Sequence, residues 1–327
     1  MIIKNFNPFV GIHCETTATG CLLKQLDIEL SEPMMFGLGE GLGFIFWNMK
    51  LMDFPFIGGR VKPLALSESL AKNLNLTLEI KETASVKKAW SNVKHYIDEG
   101  MAIGLQLDCY HLEYFGVKIH FPGHFVAMYG YDDEFAYLVD TEPTKGKVKT
   151  SLKSLELARS EKGPMAAKNL MYALQRTDKK YDLSKAIVTA ISSNAKEYLN
   201  PPIKNIGYKG ILKTSVEIKK WFKTSADIEN EFSTTAMLME QAGTGGALFR
   251  NLYRDFLKEA YGITHLEPIN IAHGRFVEIA GLWTKLANLI EQAGKKKDAG
   301  LVNQASAILV DLSEKEYSAM NTLAQIN

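Results

Sequence analysis

The 327-residue sequence predicts an α+β region followed by an all-helical one, and three observations carry that reading. A helical stretch comes first and antiparallel strands come later. A charged run, Arg176-Thr177-Asp178-Lys179-Lys180, then marks a change of pattern, and beyond it only amphipathic helical windows follow. The boundary is placed there, giving domains 1–176 and 177–327.

In the first region, residues 16–26 have helical spacing, and residues 85–99 read as a second helix ended by Gly100. Between them the most apolar stretch, residues 34–59, is interrupted by Glu40, Lys50 and Asp53 and is rich in glycine. It fails the test of about 18 uncharged apolar residues for a membrane span, so burial in protein is expected. Ile103, Leu105, Leu107 and Cys109 alternate with Ala102, Gly104, Gln106 and Asp108, which is a strand pattern. A further strand runs from His124 to Tyr131, turns through Asp132-Asp133-Glu134, and returns from Phe135 to Val139 with Asp140 at its end. The second region shows helical windows at 183–198, 214–223, 226–242, 246–260, 271–293 and 299–325, with Pro201-Pro202, Gly243-Thr244-Gly245-Gly246 and Gly262 at junctions.

Composition narrows the function classes. With 38 Lys+Arg against 37 Asp+Glu the net charge is +1, which argues against a nucleic-acid or polybasic membrane role. Three cysteines, Cys14, Cys21 and Cys109, are too few for a disulfide framework or a four-ligand zinc site. The first residues show no secretory signal, so a cytoplasmic protein with reduced thiols is expected. No HExxH or CxxC spacing is present, and neither a metal nor another cofactor is expected.

The chemistry concentrates on Cys14, which stands at the start of the first helical pattern, where the helix dipole and unpaired N–H groups favour a thiolate. In the hairpin with its turn at 132–134, His124 and Asp140 return to one open end, so imidazole and carboxylate can touch. Cys14 would attack an acyl carbonyl, His124 would move the proton and Asp140 would fix the imidazole tautomer. The plain alternative is a small buried apolar cysteine, the reading given to Cys21 and Cys109. His13 is read as a cap or supporting group, because adjacent side chains on a helix do not face each other. The oxyanion donors are the Cys14 N–H and, as a second candidate, the Asn7 side-chain amide, although an amide in an entry segment is more often just a turn former.

Glycine at every second position from Gly37 to Gly43 fails the dinucleotide pattern, and Gly39, Glu40 and Gly41 read either as a substrate-cleft loop or as a packing loop. Arg250 and Arg254, one turn apart after a glycine-rich start, read either as an anion site or as a basic stripe paired with Glu240, Asp255 or Glu259.

The runs His13-Cys14-Glu15-Thr16-Thr17-Ala18, Leu30 through Phe44, and Pro122-Gly123-His124-Phe125-Val126 resemble the amino-terminal domain of the butirosin biosynthesis protein H family. Gly245 through Tyr253 looks like the helical domain of unknown function that follows it. The resemblance implies a papain-like cysteine peptidase or acyltransferase fold, in which the pattern Cys, His-x-Val, Asp maps onto Cys14, His124 and Asp140. It implies an acyltransferase of secondary metabolism, since the family's namesake moves an aminoacyl group from an acyl-carrier-protein thioester to an aminoglycoside amine. The expected partners are a carrier-protein or CoA thioester donor and a small-molecule amine acceptor, with a homodimer left open. A cationic acceptor calls for an acidic cleft, to which Glu15, Glu40, Asp108 and Glu113 are assigned. An amidase or peptidase using water, and a silent papain-like binding module, are the alternatives.

Overall fold

The computed structural model describes residues 1–49, 52–116 and 118–326, so Lys50 lies outside the described residues. In chain order the first elements are α1 (Cys14–Gln25), α2 (Glu32–Leu38), β1 (Leu42–Trp47), β2 (Phe56–Arg60), α3 (Ala65–Asn73), β3 (Leu76–Lys81) and α4 (Val86–Asp98). Then come β4 (Ile103–Leu107), β5 (His124–Tyr131), β6 (Phe135–Val139), β7 (Lys147–Ser151), α5 (Leu152–Ser160) and β8 (Met171–Arg176). The rest is helical: α6 (Leu183–Leu199), α7 (Gly207–Thr224), α8 (Ile228–Glu240), α9 (Arg250–Thr264), α10 (Glu267–Lys296) and α11 (Ala299–Leu323).

These elements form two compact units, Met1–Met35 with Pro63–Tyr181, and Phe36–Lys62 with Asp182–Asn327. Segment 36–62, which the sequence pattern leaves in the first region, thus groups with the helices. The reason is physical: β1 and β2 make only a two-stranded ribbon, which is marginal alone. It gains a core from the helices, with the Phe44 ring 5.7 Å from that of Trp283 and the Phe46 N–H donating to the Asn205 carbonyl at 2.9 Å.

In the first unit a six-stranded antiparallel sheet has the order β3-β8-β4-β5-β6-β7. One face carries the cluster of Val93, Ile97, Leu105, Val126, Met128, Leu138, Leu155, Met171 and Ala173. Tyr172, between two of those residues in β8, points to the other face and bonds Thr19 of α1 at 2.9 Å. Helix α1 therefore covers that second face, and it is buried from Cys14 to Leu23. Gly104 makes room for the Tyr172 ring, since a Cβ there would lie 2.1 Å from it. The predicted hairpin matches β5 and β6 residue for residue.

In the second unit α10 runs 30 residues and buries Phe276, Ile279, Trp283, Leu286 and Ile290 among α8, α9 and α11. The window at 246–260 starts late, because Ala247, Leu248 and Phe249 all have positive φ (51°, 49° and 72°), so α9 begins only at Arg250. Three consecutive left-handed residues without glycine are costly, and stacking of Phe249 on Phe36, with centroids 5.6 Å apart, helps to hold them. Among the described residues no helix is long and apolar enough to cross a membrane.

Candidate active site

Helix α1 starts where His13 still has extended backbone (φ −89°, ψ 132°), which leaves the Cys14 side chain in the first turn at the positive end of the helix dipole. The approach is shaped by Glu32. Its carboxylate accepts the N–H groups of Ile12 and His13 at 2.9 and 2.8 Å and the Thr16 hydroxyl at 2.7 Å. Gly11 leaves room for that carboxylate, since a Cβ there would sit 2.6 Å from Glu32 Oε1.

The partners of Cys14 come from the open end of the hairpin. Val126 and Met128 share a face with Ala136 and Leu138, so strand alternation continued to the ends puts His124 and Asp140 on that same face. His124 Nε2 lies 2.8 Å from Asp140 Oδ2, and Cys14 is near enough to act on the same imidazole and favour its charged form. With Nε2 committed to the carboxylate, Nδ1 is the nitrogen left for sulfur. Asp140 is fully buried, and it also accepts the Tyr114 hydroxyl at 2.7 Å on Oδ2 and the Thr141 N–H at 2.7 Å on Oδ1.

Burial opposes a charged imidazole here, but the charge and hydrogen bond of Asp140, joined by Cys14, hold His124 well above its ordinary value of 6.5. Burial likewise acts to raise Asp140, yet His124, the Thr141 N–H and the Tyr114 hydroxyl keep it below its ordinary 3.8. The arrangement favours an imidazolium between carboxylate and sulfur. Such a state is able to support a thiolate nucleophile.

The other two cysteines differ. Cys21 is fully buried, donates to the Phe9 carbonyl at 3.2 Å, and burial pushes its thiol up to about 12. Cys109, read from the sequence as core, is half-buried instead. It follows β4 next to the site, where burial raises its thiol and the charge of His124 acts in opposition.

The remaining sequence-assigned residues lie as follows. His13 is buried at the N-cap of α1, with Nδ1 3.4 Å from the Thr16 hydroxyl. Asn7 is exposed in the irregular segment before α1. Glu15 is fully buried and caps α3, accepting the Ser67 N–H and hydroxyl at 3.0 and 2.9 Å and the Leu64 N–H at 3.3 Å. Glu113 accepts from Ser151 at the start of α5, and Asp108 accepts the N–H groups of Tyr110 and Phe121. The carboxylates of Glu15, Glu113 and Asp108, assigned to an acidic cleft, thus each hold a different turn of backbone.

Gly39, Glu40 and Gly41 belong to the second unit, where they stop α2. The N–H groups of Glu40 and Gly41 donate to Gly37 and Phe36, the Schellman pattern, with Glu40 as its left-handed residue at φ 53°. The Glu40 carboxylate accepts from Ser193 at 2.7 Å, and Asn194 donates to the Glu40 and Leu42 carbonyls. Of the two readings of this loop, packing is the one these contacts describe. Arg250 is corrected outright. It is neither an anion site nor part of a solvated stripe, but a fully buried guanidinium forked onto Glu316 at 2.8 and 2.9 Å. Residue separation hid this pair, which lies 66 positions apart. Glu32 and Tyr114 were also missed, since nothing local in the sequence ties them to Cys14 or Asp140.

Residues 13–141 match the family described as butirosin biosynthesis protein H, N-terminal, and residues 153–323 match a domain of unknown function, DUF4872. The chain belongs to the DUF4872 family, with the butirosin biosynthesis protein H N-terminal domain ahead of it. That N-terminal match suggests a biosynthetic enzyme domain, and its bounds enclose Cys14, His124 and Asp140. The DUF4872 match starts inside α5, so it takes in α5 and β8, which pack with the first unit. No curated protein matches the chain in sequence.

Proposed function

We propose that the chain is a cysteine acyltransferase of papain-like design, taking an acyl or aminoacyl group from a carrier-protein or CoA thioester and passing it to a small-molecule amine. The observation that supports this reading is the linked set at one site: Cys14 at a helix start, His124 whose charged form it favours, and Asp140 held 2.8 Å from an imidazole nitrogen. The N-terminal family match points the same way.

In the proposed cycle the Cys14 thiolate attacks the thioester carbonyl and forms a new C–S bond. The donor C–S bond breaks, and the leaving thiolate takes the proton of the His124 imidazolium. The amine then attacks the acyl-enzyme, gives its proton to His124 and forms the amide, while Cys14 leaves as thiolate. Asp140 keeps the ring oriented and supports its charge in both halves. The Cys14 N–H at the helix start supplies one donor to the oxyanion.

The test is incubation with a short-chain acyl-CoA, followed by intact mass and peptide mapping. An acyl adduct on Cys14, discharged faster by added amine with formation of amide, is expected. Discharge at a rate indifferent to amine would assign a hydrolase. The absence of any adduct, with slow iodoacetamide labelling of Cys14, would leave a binding module.

A further inference from the structure

Strand β4 ends at Leu107, and the next residue, Asp108, is buried with 1% of its surface exposed. Its Oδ1 accepts the N–H groups of Tyr110 and Phe121, both at 2.9 Å, while Oδ2 lies 2.9 Å from His120 Nδ1. The Tyr110 ring stacks on the same imidazole, with centroids 3.9 Å apart and planes within 9°. His120 is therefore oriented from two sides, and its Nδ1 is committed to a carboxylate, which leaves the Nε2 lone pair for another partner.

Opposite stand His111 and Glu161, with Nε2 and Oε2 2.6 Å apart. His111 closes the 3-10 turn Cys109–His111, whose last carbonyl accepts from the Ser154 hydroxyl, and Glu161 is the C-cap of α5. One ligand atom from each of His111, His120 and Glu161 lies within 4.8 Å of the other two. All three side chains reach solvent, at 17%, 57% and 29% exposure, so an ion has access.

We propose that His111, His120 and Glu161 form a divalent-metal site of the zinc-binding class, with water completing the shell and Asp108 as the group that orients His120. Two imidazoles and one carboxylate are the donor set that suits zinc, and a carboxylate behind a ligating histidine is the usual support for one. Ligand atoms about 2.0–2.1 Å from a tetrahedral ion sit about 3.3 Å apart. Binding would thus part His111 from Glu161 slightly and draw His120 inward. The ion would tie the segment leading to His124, already pinned through the Phe121 N–H, to the end of α5. This role is positional and separate from acyl transfer.

The experiment is titration of the full chain with Co2+, read by visible absorption, and competition with Zn2+. One Co2+ per chain with d–d bands and no thiolate charge-transfer band is expected, unchanged in Cys14→Ser and weakened at least tenfold in His120→Ala and Glu161→Gln. Circular dichroism checks that those variants fold. As a readout on unmutated protein, imidazole NMR signals of His111 and His120, among seven histidines, are expected to shift with Zn2+. Equal affinity in both variants, a thiolate band lost in Cys14→Ser, or shifts confined to His13 and His124 would each overturn the site.

Discussion

Each of the two units buries a charged cluster, and these two clusters differ in whether their polar groups are all used up. In the second unit Glu316 is fully buried and accepts Arg250 Nε and Nη2, the Trp283 indole N–H at 2.6 Å, and the Tyr198 hydroxyl. Arg250 Nη1 donates to the carbonyls of Leu248 and Gly59 at 2.8 and 3.2 Å, and the guanidinium lies 4.7 Å from the Trp283 ring centroid. That cluster is closed. In the first unit Asp140 is equally buried and is bonded by His124, the Tyr114 hydroxyl and the Thr141 N–H, but the chain of contacts passes on through His124 to a cysteine at a helix start. A saturated buried ion pair can only hold a structure, whereas one that ends on a nucleophile can also do chemistry.

The sharpest separation is expected from Cys14→Ala. It should lower acyl transfer by about 10^4-fold or more while changing stability by about 1 kcal/mol or less, read by single-turnover kinetics and urea denaturation. If turnover with an identified substrate survived, covalent catalysis by Cys14 would be excluded.

The converse is expected from Arg250→Met, which leaves Glu316 buried without its cation. Loss of one partner of a buried pair costs about 3–5 kcal/mol, so the urea midpoint should fall steeply. The double variant Arg250→Met/Glu316→Leu should recover much of that loss, because no charge is then stranded. Iodoacetamide labelling of Cys14 in the folded fraction should stay at the wild-type rate. A fall in labelling as large as the fall in stability would erase the distinction between the clusters.

What the sequence made legible follows the same division. Helix α1, the hairpin β5–β6 and the long helices declare themselves through local period, and a hairpin's ends can be matched by counting from its turn. That is why Cys14, His124 and Asp140 emerge together. Strand β3 mixes half-buried and exposed positions without a clean alternation, and α2 is seven residues long with Pro33 near its start, so neither is visible. The alternating glycines after Phe36 read as a loop, but their use in stopping α2 depends on backbone conformation at Glu40. Pairs that are far apart in sequence are the least legible of all. Arg250 and Glu316, or His111 and Glu161, are joined only by tertiary structure.

The charge state of the open cluster gives it a pH signature. His124 is held above its ordinary 6.5, so its contribution to stability is complete below 6.5 and is lost as pH rises through its folded-state value. Asp140 is held below 3.8, so its contribution is present above 3.8 and is lost as pH falls through its folded-state value. The stability gap between wild type and His124→Gln, measured by urea denaturation across pH, should therefore be widest between about pH 4 and 6.5. It should narrow above that window. A gap that kept growing toward alkaline pH would mean that His124 is neutral when folded.

The smallest effect is expected from Tyr114→Phe, which removes one of the donors to Asp140 and leaves the ring in place. A hydrogen bond to a charged group is worth about 1.5–3 kcal/mol, and part of it is recovered when water or a relaxed neighbour takes its place. The expected loss in the rate of Cys14 acylation is about tenfold or less. The direction of the pH profile is more telling than the size. The Tyr114 hydroxyl helps to hold Asp140 down, so its removal should move the acid limb of the Cys14 alkylation profile to higher pH. A purely structural tyrosine would lower stability and leave that limb where it was. The shift thus tests whether the bond from Tyr114 reaches the nucleophile through Asp140 and His124, as the geometry of the open cluster requires.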